Sequence, residues 1–206
     1  MPARRSPVDE SATRTALLDA TEELMLEEGY AAVTTRRLGA KAGLNNALVF
    51  YYFGTVDNLF IELFRRGAER SLRRLEEALR SPQPLWAFWE LTHDFSSNAL
   101  IMEFTALANH RKAIRAEIAA YSRKFRTLQL ETLSGVLEGH GVDPRRWPPA
   151  SLILLMASFS RFMHIEEGFD LDIGHAETVA VIEREIRALE GERRPAGDGA
   201  VAGRAE

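Results

Sequence analysis

The sequence predicts an all-α protein of about nine helices. A three-helix head with a helix-turn-helix spans residues 1–55, a larger helical body spans 56–190, and a tail spans 191–206. Apolar residues recur at helical spacing from one end of the chain to the other, and strand-like alternation is nearly absent. Residues that start and stop helices punctuate the sequence, chiefly Ser6-Pro7, Gly29, Thr34, Gly43, Asn45, Gly54-Thr55 and Ser81-Pro82-Gln83-Pro84. The composition, 46% apolar and 27% charged over 206 residues, belongs to a chain that buries a core.

The first helix begins at Ser6-Pro7-Val8-Asp9, where a cap, a proline at the first position and an acid in the first turn coincide. Ala16, Leu17, Ala20, Leu24 and Met25 form its apolar face, with Glu22, Glu23, Glu27 and Glu28 directed away. Gly29 stops it, because glycine takes a left-handed turn at little cost. Thr34 caps a second helix that buries Leu38 and Ala42 and ends at Gly43. A short third helix runs from about Asn45 to Tyr52, with Asn45 as its cap. A long fourth runs from about Val56 to Arg80 along a stripe of Leu59, Phe60, Leu63, Phe64, Leu72, Leu75 and Leu79. Helices over 85–108, with a break expected near Ser96-Ser97-Asn98, then 111–139, 149–167 and 175–190 complete the body. The tail after Gly191 is too poor in apolar residues to offset its ordering entropy, so disorder is expected there.

Net charge is −4, yet between Ala31 and Val56 the charged residues are Arg36, Arg37 and Lys41, and Arg4 and Arg5 add a basic arm. A basic patch on an acidic chain suits local contact with DNA phosphates. There are no cysteines, which excludes disulfides, thiolate metal sites and cysteine nucleophiles. No apolar run approaches the roughly 20 residues of a membrane span, and Met1–Asp9 lacks the apolar core of a signal peptide, so a cytoplasmic location is expected. Enzyme chemistry finds no foothold. His93, His110, His140, His164 and His175 make no metal-ligand spacing, and neither a Gly-rich phosphate loop nor a GxSxG elbow occurs. No cofactor or metal is expected.

The second and third helices form a helix-turn-helix. Leu38, Ala42, Leu44, Val49 and Phe53 make its inner face, and Gly39 and Ala40 permit close approach. The outer face is left with Arg36, Arg37, Lys41, Asn45, Asn46, Ala47, Leu48 and Tyr51. In such a unit the start of the second helix enters the major groove. Asn46 is suited to adenine, Arg36 to guanine and Leu48 to a thymine methyl. The first turns of the second and fourth helices offer backbone N–H groups to phosphates.

The segment Thr34-Thr35-Arg36-Arg37-Leu38-Gly39-Ala40-Lys41-Ala42-Gly43-Leu44-Asn45-Asn46-Ala47-Leu48-Val49-Phe50-Tyr51-Tyr52-Phe53 resembles the signature of the TetR family of transcriptional regulators. The preceding Gly29-Tyr30 and Val33-Thr34 agree with it, and the resemblance covers roughly Leu17 to Phe60. It implies DNA contacts at Thr34, Thr35, Arg36, Lys41, Asn45, Asn46, Ala47, Leu48, Phe50, Tyr51, Tyr52 and Thr55. Departures are Asn45 for a common serine, Leu48 for a threonine, Phe50 for a tyrosine, and Gly54 and Val56 for proline and lysine. Phe50 has no hydroxyl, so Tyr51 and Tyr52 become the expected phosphate contacts.

For the body, the same resemblance implies a small-molecule pocket and a two-fold helix bundle. The expected pocket residues are Trp86, Trp89, Phe95, Met102, Phe104, Thr105, His110, Tyr121, Phe125, Met156, Phe159 and Met163. Their chemistry fits a lipophilic or aromatic effector. The expected dimer interface is Leu152, Leu155, Phe159, Phe162, Val179, Ile182 and Ile186, on apolar surfaces too broad for burial on one side. A repressor released from a palindromic operator by its effector follows. The alternatives are a helical interaction module without sequence-specific DNA binding, favoured by net acidity and Val56, and an all-helical enzyme.

Overall fold

Helix α1 (Pro7–Glu28) ends where Gly29 turns with φ 83° and its N–H still reaches the Met25 carbonyl at 3.0 Å. A single 3-10 turn over Tyr30–Ala32, which the sequence did not announce, leads to α2 (Thr35–Ala42) and α3 (Ala47–Phe53). Then follow α4 (Val56–Leu79), α5 (Pro84–Thr92), α6 (Phe95–His110), α7 (Lys112–Gly139), α8 (Pro149–Glu167) and α9 (His175–Glu190). This computed structural model describes residues 7–93 and 95–194, and those residues contain no strand. The basic arm at Arg4 and Arg5, the cap Ser6 and the tail over 195–206 lie outside the described residues. No single helix among the described residues is long and apolar enough to cross a membrane.

The chain divides into two units, 1–72 with 95–125 and 73–94 with 126–206. The expected boundary at 55/56 is therefore displaced into α4, and α6 joins the head. The physical reason is burial. Phe104, Leu107 and Ala108 of α6 and Ile114 of α7 share one core with Leu17, Leu24 and Met25 of α1 and with Leu38, Val49, Phe53, Leu59 and Leu63. Fully burying one leucine of this kind is worth about 1.5–3 kcal/mol. Thr21, also fully buried in α1, returns its hydroxyl to the Leu17 carbonyl at 2.6 Å and so leaves no polar group unmatched. On the surface of this unit Arg66 joins α4 to α1 through Asp19 at 2.6 Å and Glu22 at 2.7 Å.

The second unit is built around Leu75, Leu85, Trp86, Phe88, Trp89, Leu133, Leu137, Ile153, Met163 and Ile186. α5 packs on α8 and α9. Its start is held by α9: the Glu190 carboxylate accepts from the N–H groups of Leu85 at 2.8 Å and Trp86 at 3.1 Å. A helix's first N–H groups lack intrahelical partners and favour negative charge, so a carboxylate there is stabilising. Gln83 donates to the carbonyls of Glu190 at 3.1 Å and Glu192 at 2.8 Å, and accepts from the Arg194 N–H at 2.8 Å. The Trp86 indole donates to the Gly191 carbonyl at 3.0 Å. Residues 191–194, assigned to a disordered tail from composition, are thus tied to α5 by their backbone, which composition does not report. The break expected near Ser96-Ser97-Asn98 falls earlier, after His93, and α6 already includes those positions.

Candidate nucleic-acid interface

The head is positioned by its caps. Thr34 is extended, at φ −124° and ψ 152°, and its hydroxyl accepts from the Arg37 N–H at 3.3 Å, opening α2. Gly43, at φ 64° and ψ 31°, closes α2, and the Leu44 N–H donates to the Gly39 carbonyl at 2.8 Å. Gly39 sits where the chain folds back on α2. A Cβ there would lie 2.8 Å from the Leu44 carbonyl oxygen and 3.1 Å from the Asn46 nitrogen, both backbone atoms. Glycine at this position is what lets α3 approach. The Asn45 side-chain oxygen accepts from the Ala47 N–H at 2.9 Å in the turn before α3, whose N-cap is Asn46, one residue later than the sequence predicted. Thr55 accepts from the Asn58 N–H at 3.0 Å and opens α4.

With Leu38, Val49 and Phe53 buried, the outer side presents Thr34, Arg36, Asn45, Asn46, Ala47, Phe50, Tyr51 and Thr55, all exposed, with Thr35 half-buried. Two expected contacts are placed otherwise. Leu48 is half-buried and packs against the core, which draws it back from a groove. Tyr52 also packs against the core, and its hydroxyl is buried without a hydrogen-bond partner, so it does not face a phosphate. Tyr51, 70% exposed, is left as the phenolic contact. Helical geometry explains both: on a seven-residue helix, Leu48 and Tyr52 stand one turn apart beside the buried Val49 and Phe53.

The three cations between Ala31 and Val56 differ. Arg37 pairs with Glu28, and Lys41 with Glu27 at 2.8 Å and Glu23 at 3.2 Å. The Arg37 guanidinium holds the Glu28 carboxyl below its usual range, and the Glu27 and Glu23 carboxylates raise Lys41. Arg36 makes no ion pair among the described residues and is exposed. The acids of α1, read from sequence as merely facing away, thus neutralise two of the patch's three charges. A further contact the sequence did not signal is Glu103 of α6, whose carboxylate accepts from the Tyr30 N–H at 2.7 Å and fixes the turn between α1 and α2. Asp57, in the first turn of α4, is paired with Arg111.

The residues expected to form a pocket fall into two sets. In the first unit, Phe104 and Tyr121 set their rings edge-on to Phe64 at 5.3 and 5.4 Å, and Phe125 lies 5.6 Å from Tyr121. Burial raises the Tyr121 hydroxyl to about 12, opposed by its hydrogen bond with Ser71. Met102 is half-buried, whereas Thr105 and His110 are exposed. The side chain of Phe95 lies outside the described ones. In the second unit, Trp86, Trp89 and Met163 are buried, and Met156 and Phe159 are half-buried. Trp86 is occupied by Gly191 and by the Arg187 guanidinium 6.0 Å from its ring.

Of the expected interface residues, Leu155 and Phe162 are 60% and 57% exposed, and Leu152, Val179 and Ile182 are half-buried. Ile186 is buried within its own subunit, and Phe159 stacks on Trp89. Exposed apolar residues also include Leu154 and Ile165 of α8, which sequence reasoning missed, and Val181 and Leu189 of α9, which belong to that helix's apolar surface in the sequence.

Residues 17–63 match the model of the bacterial regulatory proteins of the tetR family. Over 65 residues the chain is 32% identical to the HTH-type transcriptional repressor AcnR of Corynebacterium glutamicum, a match covering 32% of this chain and 35% of that one. The chain thus spans about a third of that relative. Its likeness to the HTH-type transcriptional repressor BepR of Brucella suis runs over 205 residues at 23% identity, covering 90% of this chain and 97% of the other. Among solved structures, a TetR-family regulator from Rhodococcus sp. superposes with a TM-score of 0.68 at 14% identity, covering 87% of this chain and 99% of that one. That likeness speaks for the fold.

Proposed function

We propose that this chain is a regulator of the TetR type, the family whose model matches residues 17–63, and that it is a homodimeric cytoplasmic repressor that leaves a palindromic operator when a small, largely apolar effector binds its body. It is a DNA-binding transcriptional regulator and not an enzyme. The observation that carries the finer reading is the exposed row of Arg36, Asn45 and Asn46 at the mouth of the turn held by Gly39. In a two-fold dimer, two such rows enter successive major grooves about 34–36 Å apart. Asn46 reads adenine and Arg36 reads guanine, while Thr34, Thr35, Tyr51 and Thr55 meet the backbone.

Dimerisation is supported by the exposed apolar side chains of Leu154, Leu155, Phe162 and Ile165 on α8 and of Val181 and Leu189 on α9. Exposed apolar surface of this kind costs free energy in water and marks an interface. The effector acts by favouring a dimer whose heads no longer match the half-site spacing; a coupling of about 1–3 kcal/mol is typical.

The test is fluorescence anisotropy with duplex DNA from upstream of the chain's own coding sequence, titrated with salt. Wild type is expected to prefer one palindrome, with affinity falling steeply as salt rises. Asn46→Ala is expected to lose about 1–3 kcal/mol per half-site and to relax preference at one base pair. Equal weakening on every sequence would refute base reading by Asn46. A monomer indifferent to duplex sequence would leave the interaction-module reading in its place.

A further inference from the structure

Unmatched polar chemistry lies at the end of α5, in the second unit. His93 Nδ1 stands 3.2 Å from the Trp89 carbonyl oxygen. A carbonyl only accepts, so Nδ1 carries the ring proton and donates it. Burial pushes the His93 pKa below its ordinary value, against the opposing influence of the Trp89 carbonyl, Glu183 and Glu167. The ring is therefore neutral near pH 7, and Nε2 is a bare lone pair. That atom is buried and accepts from no group among the described residues. A buried acceptor left unmatched is costly, and most are satisfied.

The surroundings are aromatic. The Trp89 ring lies 3.5 Å from the imidazole, centroid to centroid, and the Phe159 ring lies 6.2 Å from it. Trp89 and Phe159 are parallel within 7°, with centroids 6.5 Å apart. Met163, one turn beyond Phe159 on α8, is buried on the same face. An apolar lining with one directed polar atom is the usual make-up of a small-molecule site.

We propose that His93, Trp89 and Phe159 form a ligand site for a neutral aromatic molecule bearing a hydroxyl or ring N–H, which donates to His93 Nε2 while its ring lies against Trp89 and Phe159. The proposal deepens the effector reading above and rests on it for its biological meaning. It also sets selectivity. A carboxylate brings only acceptors and meets a lone pair, and an ether of the same shape leaves Nε2 unmatched.

The test uses 2-naphthol and 2-methoxynaphthalene, which share a ring system and differ in the O–H. Both are titrated calorimetrically into the full-length protein. Naphthol is expected to bind about tenfold more tightly, the value of one net hydrogen bond. In His93→Phe that gap closes; in His93→Gln, whose amide oxygen also accepts, part of it returns. Nitrogen NMR of the histidine rings in wild type, which needs no variant, is expected to show the Nε2 resonance moving with naphthol and still with the ether.

Equal affinity for the two probes, no binding of either, a gap that survives in His93→Phe, or an Nε2 resonance unmoved because buried water already satisfies it would each overturn the site. Operator anisotropy on the same samples separates this from the effector reading. Naphthol bound through His93 with the operator complex intact upholds the site and refutes release. An operator complex with no naphthol bound refutes the site and leaves DNA binding standing.

Discussion

α3 and α8 each expose one side, and the two sides differ in kind. α3 shows Asn46, Ala47, Phe50 and Tyr51 beside Arg36 of α2, a mixed surface with polar tips. α8 shows Leu154, Leu155, Phe162 and Ile165, a largely apolar set of exposed side chains. The first suits a partner recognised through hydrogen bonds, at no great cost while it waits in water. The second is unfavourable until another apolar surface covers it. Exposure therefore says that a partner is missing, and the chemistry of the exposed side says which kind.

The difference extends beneath the surface, and substitution tests it. The largest effect is expected in the second unit. Phe88→Ala removes a ring that is 1% exposed and should cost about 3–5 kcal/mol, read by urea denaturation. All three tryptophans, Trp86, Trp89 and Trp147, belong to this unit, so their fluorescence follows it while circular dichroism follows both. Fluorescence and dichroism midpoints that part company in this variant would show the two units unfolding separately.

Next comes Gly39→Val, which should lose about 1–3 kcal/mol, because the added carbon meets backbone that has no side-chain rotamer to yield. Its operator binding should fall further than its stability, since α3 is displaced. Retained binding would break the link between that turn and recognition. Thr34→Ala removes one cap and should cost about 1 kcal/mol in thermal unfolding, with the specificity of the protein unchanged.

The smallest effect concerns charge. Replacing both Glu23 and Glu27 by glutamine releases Lys41 from α1, and one more cation facing phosphate should steepen the dependence of log K on log salt by about 0.9. An unchanged slope would mean that Lys41 leaves Glu23 and Glu27 for DNA unaided. Acid acts similarly through Glu28. Its carboxyl is held below the ordinary range, so its contribution is present above the unfolded pKa and is lost as pH falls through the lower folded value, freeing Arg37.

The head was largely legible because its information is local. Thr34, Gly43, Asn45 and Thr55 each cap or turn the backbone within a few residues, and each does so in the structure. Leu48 and Tyr52 were misplaced because a seven-residue helix allows a residue to sit beside the core or outside it by a small rotation that spacing alone does not fix. In the body, helix ends agreed closely, yet partners did not follow. Periodicity identifies the apolar face of α6, but its packing on α1 depends on residues some 80 positions away in sequence. Ile186 reads as interface and Phe159 as interface or pocket, and both pack within the subunit, while Leu154 escaped notice, because helices apolar on several sides offer no sequence signal for which side is taken. His93 carried no motif at all. Its interest arises only from a carbonyl on one nitrogen and no partner among the described residues on the other.

The bonds between Gln83 and residues 190–194 bear on how the chain is handled. A shortened version ending at Gly191, as low complexity would recommend, strips Gln83, the residue before α5, of the acceptor supplied by Glu192 and the donor supplied by Arg194, and loosens the start of the helix that carries Trp89 and leads into His93. Purification handles are better attached beyond Arg194, or at the other terminus whenever effector affinity is the quantity to be measured.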